Sequence, residues 1–392
     1  MVAAQPATTE ASPVATRAIM AVFFIQAAAG GGMFARIPDF QVALGISEGV
    51  LGLVLLGQPV GALLTFLVAG RAIDRIGTRP LLLAAIPAIA LSVGAMALAP
   101  AAAVLASAFF AYGVSFAISN VAMNVEADRV EAAFGRRILN TCHGLWALGF
   151  LAAALVATAM RGSGVDQATH LWLMVPPVLI AALAVLMPLR PSPPRAHGTA
   201  ARRKVLTVPT AQTLLLVGFG LAGVLIEVAT RHWSVIFMRD SFSAPAWLET
   251  FALPAFLATM ALGRLFADGW TERFGAPKIA AVATLISLGG VACVVFSPAL
   301  WVALTGFGLM GLGVCVSFPL MLSAAARLGD RPAAENVAAV TMVMTIINLG
   351  TPAAMGLTAE LYGIRASFAL ILPFGILALM LVGRLAPPPG GG

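Results

Sequence analysis

Glu227 and Arg231 stand four residues apart, with His232 and Trp233 directly after them. At that spacing a carboxylate and a guanidinium share one helix face and can pair. The surrounding stretch is apolar, and ionisable groups in such stretches face a cavity or a partner. Two readings stay open. The pair can be a salt bridge at a helix end, worth roughly 0.3–0.5 kcal/mol where solvated. Alternatively, Glu227 carries a proton, with Arg231 and His232 controlling its charge. An imidazole ordinarily titrates near neutral pH, so His232 can add a second proton step. The second reading is preferred, and it makes Glu227, Arg231 and His232 candidate proton-coupling residues.

Other polar side chains recur at helical spacing inside apolar runs. Asn120 and Asn124 lie one turn apart on a single face, where two carboxamides can donate to and accept from hydroxyl groups. The competing use is to glue helices together. Asn140, His143 and Trp146 recur every three residues, and Trp146 can stack on the apolar face of a sugar ring or pack as core. Gln26 precedes Gly30-Gly31-Gly32, and Asn348 precedes Gly350 and Pro352, in stretches suited to bending or close helix approach. Gln26, Asn120, Asn124, His143, Trp146, Trp233 and Asn348 are the candidate substrate-binding residues. Glu126 and Asp128 are expected at the membrane interface.

The elements that must position these groups follow from composition. The chain has 392 residues, of which 60% are hydrophobic and 10% charged. Its mean hydropathy is +0.98. Soluble domains are about a quarter charged, so this is an integral membrane protein. Twelve apolar segments reach the length of about 20 residues needed to span a bilayer. They run approximately 17–37, 47–70, 80–99, 101–127, 138–160, 169–190, 208–236, 247–268, 278–297, 299–327, 334–358 and 364–385. The class is an all-α membrane protein of two six-helix halves, 17–190 and 208–385, joined by a cytoplasmic linker over 191–207. Residues 1–16 and 386–392 read as disordered tails.

The net charge is +7, and the basic residues fall in short loops rather than among aromatics on a soluble face, so no nucleic-acid partner is expected. With the amino terminus inside, most of them lie on the cytoplasmic side, including Arg71, Arg75, Arg79, Arg264, Arg273 and Lys278. Arg36, Arg161, Arg239 and Arg365 fall outside. Both termini are therefore expected in the cytoplasm, with the chain a monomer among lipids of the inner membrane. Cys142, Cys293 and Cys315 lie in apolar segments with no metal-ligand spacing, and no cofactor, metal or catalytic set is expected.

One charged stretch repeats. Gly70-Arg71-Ala72-Ile73-Asp74-Arg75-Ile76-Gly77-Thr78-Arg79-Pro80 reads as a turn between two apolar runs. A degraded copy returns at 268–278, where Glu272-Arg273-Phe274-Gly275 aligns with Asp74-Arg75-Ile76-Gly77. Twelve spans, a basic central linker and this repeated turn resemble the major facilitator superfamily. Asn120 to Asn124, His143-Gly144, Glu227 with Trp233-Ser234, Gly263-Arg264 and Gly350-Thr351-Pro352 look like its fucose-permease-like branch. The resemblance implies alternating access, with two six-helix bundles rocking about a midplane site. It also implies that Gly70, Asp74, Arg75, Gly77 and Arg79, with Glu272, Arg273 and Gly275, gate the cytoplasmic side. Asn120 stands where that branch usually carries a carboxylate, and His232 where bacterial relatives carry Asp, so Glu227 becomes the expected proton carrier. No Gly-x-x-x-x-Gly-Lys-Ser/Thr loop is present, which argues against direct ATP coupling. The expected function is secondary transport of a small polar, sugar-like solute. A drug or metabolite efflux antiporter and a transport-incompetent sensor are the alternatives.

Overall fold

The computed structural model describes residues 11–135, 137–190 and 208–386. Residues 1–10 and 387–392 of the tails expected at 1–16 and 386–392, and the expected linker at 191–207, lie outside the described residues. Among those described, twelve helices are long and apolar enough to cross a membrane. In chain order these are α1 Val14–Leu44, α2 Glu48–Ile76, α3 Thr78–Met96 and α4 Ala102–Phe134. Next come α5 Leu139–Gly162, α6 Gln167–Leu186, α7 Ala211–Ser241 and α8 Ala246–Ala267. The set closes with α9 Ala276–Val295, α10 Leu300–Ala326, α11 Ala333–Tyr362 and α12 Ile364–Leu385. Their lengths are uneven: α4 has 33 residues, whereas α3, α6, α9 and α12 have 19, 20, 20 and 22.

Two details depart from the sequence reading. Residues 11–16 are already helical, since the first helix begins at Ala11. The charged stretch is also far less of a turn than expected. The helix in α2 runs on through Gly70, Asp74 and Arg75 to Ile76, and the reversal is left to Gly77 at φ 92°. The second copy behaves alike: the helix continues to Phe274 and reverses at Gly275, φ 82°. Charged residues continue a helix readily once it has left hydrocarbon, whereas positive φ favours glycine.

The chain groups into two compact units. The first comprises Met1–Met33, Gly57–Val156 and Asp166–Ala200, and the second Phe34–Leu56, Ala157–Val165 and Ala201–Gly392. Thus α1, α2 and α5 each pass from one unit to the other along their length. In the first unit α4 packs against α2 and α3. A Cβ on Gly61 of α2 would strike the Phe110 carbonyl of α4, so a small residue permits that approach. In the second unit α10 packs between α8 and α9, and α7 lies against α11 and α12. Phe237, Phe307 and Phe368 close its core edge to face, with ring centroids 5.2–5.8 Å apart.

Candidate functional site

In the first unit, Gln26 of α1 is wholly buried. Its Nε2 donates to Ser119 Oγ of α4 at 3.2 Å, and its Oε1 accepts the Trp146 Nε1 hydrogen from α5 at 2.7 Å. The half-buried indole also stacks on Phe150, one turn on, with centroids 5.6 Å apart and planes 13° apart. An indole has one N–H donor, and here it is spent on Gln26. Trp146 therefore has no N–H left to donate. Gln26, which the sequence reading assigned to substrate contact, holds that ring in place. Ser119 completes the triad and was missed, because a serine in an apolar helix gives no sign of its partner.

Asn120 and Asn124 are half-buried on α4. Asn124 Nδ2 donates to the Asn120 carbonyl at 2.8 Å, so it bonds its own helix rather than a neighbouring one. His143 is exposed on α5, and its ring meets Phe23 edge-on at 5.3 Å. Glu126, expected at the membrane interface, is fully buried within the protein, and its Oε2 accepts the Thr78 hydroxyl at 2.7 Å. Thr78 begins α3, where unpaired backbone N–H groups favour a nearby carboxylate.

In the second unit the Glu227–Arg231 pair forms as its spacing predicts, Oε2 to Nη2 at 2.9 Å. Arg264 of α8 approaches the other oxygen at 3.8 Å. The sequence reading counted Arg264 among cytoplasmic charges; it lies within the α8 helix and reaches the α7 carboxylate. His232 stands outside this cluster. Its Nδ1 lies 3.0 Å from the Val228 carbonyl, and its ring meets Phe34 edge-on at 5.4 Å. Trp233 is fully buried against α11, where a Cβ on Gly356 would touch its ring. Asn348 is exposed on α11. No group of three or more potential metal ligands occurs among the described residues.

The charged turns divide by role. Gly70, Asp74 and Arg75 are exposed, and Asp74 makes no ion pair among the described residues. Arg79 instead donates from Nε to the Leu186 carbonyl at 2.8 Å and from Nη2 to Met187, closing the end of α6. A cation there satisfies carbonyls that have no intrahelical partner. In the second copy Glu272 is exposed and the Arg273 guanidinium lies 5.2 Å from the Phe274 ring.

No protein-family model matches the chain. An uncharacterized transporter of Sinorhizobium fredii is 28% identical over 93% of this chain and 96% of its own length. An uncharacterized MFS-type transporter of Yersinia pestis is 27% identical over 92% and 91%. Among solved structures, the nucleoside transporter NupG in mutant form superposes with a TM-score of 0.78 at 12% identity, covering 94% of this chain and 99% of that one. A bacterial homolog of the human lysosomal transporter Spinster gives 0.74 at 12% identity, covering 96% and 97%. These structures show the fold, and the two relatives by sequence, one named a transporter and the other an MFS-type transporter, support a transporter role for this twelve-helix chain.

Proposed function

We propose that the chain carries a small polar solute bearing a ring, sugar-like or nucleoside-like, across the inner membrane by alternating access, as a fucose-permease-like proton symporter. The observation that carries the solute class is the fixed indole: Trp146 is tied by Gln26 and stacked on Phe150, so it presents an aromatic face at a set angle. Such a face favours a ring with an apolar side and tolerates varied hydroxyl patterns. Asn120 and Asn124 lie on the adjoining α4 and supply polar contacts. Glu227, flanked by two guanidinium groups, is the carboxylate assigned to the proton. The chain acts as a monomer with both termini in the cytoplasm.

The test is a thermal-shift screen of purified protein against sugars, nucleosides, amino acids and organic acids, followed by titration of the hits. A bound solute raises the melting temperature by mass action. Trp146→Leu should weaken a ring-bearing hit about two- to tenfold, the value of one aromatic contact, and Trp146→Phe less. Gln26→Leu should weaken the same hits by releasing the indole. Hits confined to ringless acids, or equal affinity in Trp146→Leu, would overturn the assignment.

A further inference from the structure

The ion cluster of the second unit does not balance. Glu227 lies 16 residues from Ala211 and 14 from Ser241, the two ends of the 31-residue α7, and so near the middle of its span. Its Oε2 takes Arg231 at 2.9 Å, while Arg264 of α8 stands 3.8 Å from its Oε1, at the same depth. Two guanidinium groups share one carboxylate and leave one positive charge over. Asp240 and Glu249, at the end where α7 and α8 meet, are committed to Arg239 and Arg161. Arg264 is the less engaged of the two cations at Glu227. At 3.8 Å it is beyond hydrogen-bond reach of that carboxylate, and it makes no hydrogen bond among the described residues. Its side chain is 43% exposed, against 22% for Glu227. A charged side chain at membrane depth faces a water-filled space or a partner rather than lipid, so this exposure is to water. The backbone beneath it is held, because the adjoining Gly263 packs on Cys315 of α10, where a Cβ would come within 2.7 Å of the sulfur.

A cation without its counter-charge is costly at this depth, and an arriving anion removes that cost. A guanidinium presents paired N–H donors in one plane, which match the two oxygens of a carboxylate. One surplus positive charge matches one carboxylate. A phosphate monoester brings about 1.5 to 2 negative charges, and the excess would be set against Glu227. We propose that Arg264, with Arg231 beside it, binds a carboxylate of the transported solute, which is therefore a monoanionic acid. Joined to the ring inferred above, this gives the class of sugar acids, a hydroxylated ring bearing one carboxylate. The inference deepens the proposed function and rests on its transporter reading, but on neither Trp146 nor the proton. It also supplies a route between solute and Glu227. The two carboxylates compete for the same guanidinium groups, so solute binding changes the pairing of Glu227.

Calorimetric titration with matched probes tests it. Purified protein is titrated with glucuronate, galacturonate, quinate and gluconate, each beside its neutral amide, and with glucose 6-phosphate. At least one acid should bind about tenfold or more tighter than its amide. Arg264→Gln should bring that acid and its amide to within about threefold of each other, with the amide's own affinity little changed. Arg264→Lys keeps the charge and loses the fork, so it should retain part of the preference. Amides that bind as tightly as their acids, a panel in which no acid binds, or a phosphate preferred to every acid overturns the inference. So does an Arg264→Gln variant with the parental preference. Should that variant not stay monodisperse, Arg264→Lys decides, and parental affinity for the acid there is equally fatal. Failures elsewhere read differently. Gluconate bound without any ring-bearing acid overturns the ring and upholds the carboxylate site. An acid that binds through Arg264 but does not enter proteoliposomes upholds the site and overturns the transporter reading.

Discussion

Glu227 lies between Arg231 and Arg264, one guanidinium to each carboxylate oxygen. Only the first of these partners could be read from spacing. An i,i+4 pair is dictated by helix geometry, whereas Arg264 meets Glu227 because two helices happen to be neighbours, which a linear pattern does not encode. The same limit explains Ser119, and the burial of Trp233 against Gly356. A carboxylate that carries the proton must change its pairing when solute binds, which links the two equilibria. Glu227→Gln should then abolish uphill accumulation in proteoliposomes while solute exchange persists. For one proton per solute, a pH difference of about one unit sustains about tenfold accumulation in the parent, and the variant should show none. If the variant still concentrates solute, the residue is part of a structural ion pair.

At the scale of elements the sequence was most legible. Apolar length and loop charge placed all twelve helices within several residues, because hydrocarbon thickness leaves little freedom. Helix ends were less legible, since polar residues continue a helix beyond the bilayer as readily as they end it; α2 shows this at Ile76. Ends with a side-chain cap are sharper. Asp166 caps α6 by accepting the Thr169 N–H at 2.9 Å, and those backbone and side-chain bonds from Thr169 hold its carboxyl below the usual carboxylate range. A depressed folded value means that the cap contributes above the unfolded value of about 3.9 and is lost as pH falls through the folded one. Asp166→Ala should accordingly lower the melting temperature at pH 7, and by progressively less as pH falls below about 3.9. A loss that does not shrink with falling pH would assign the effect to something other than the charged cap.

For the whole molecule, the asymmetry of arginine and lysine in the loops predicts both termini inside. A fluorescent protein that matures only in the cytoplasm, fused after Gly392, should glow in cells, and an alkaline phosphatase fused there should be inactive. The reverse pattern would invert every sidedness assigned above. Helix length carries a separate consequence. Every third helix is short: α3, α6, α9 and α12 have 19–22 residues, or about 29–33 Å at 1.5 Å per residue, whereas the helix in α8 runs on past Ala267 to Phe274. That matches a hydrocarbon core of about 30 Å. By contrast α4, at 33 residues, reaches about 50 Å and must tilt or project beyond the lipid tails. The four short helices thus set the hydrophobic thickness the protein prefers. Lipid tails longer or shorter than that match would strain this quartet first, while the longer helices absorb the mismatch by changing tilt.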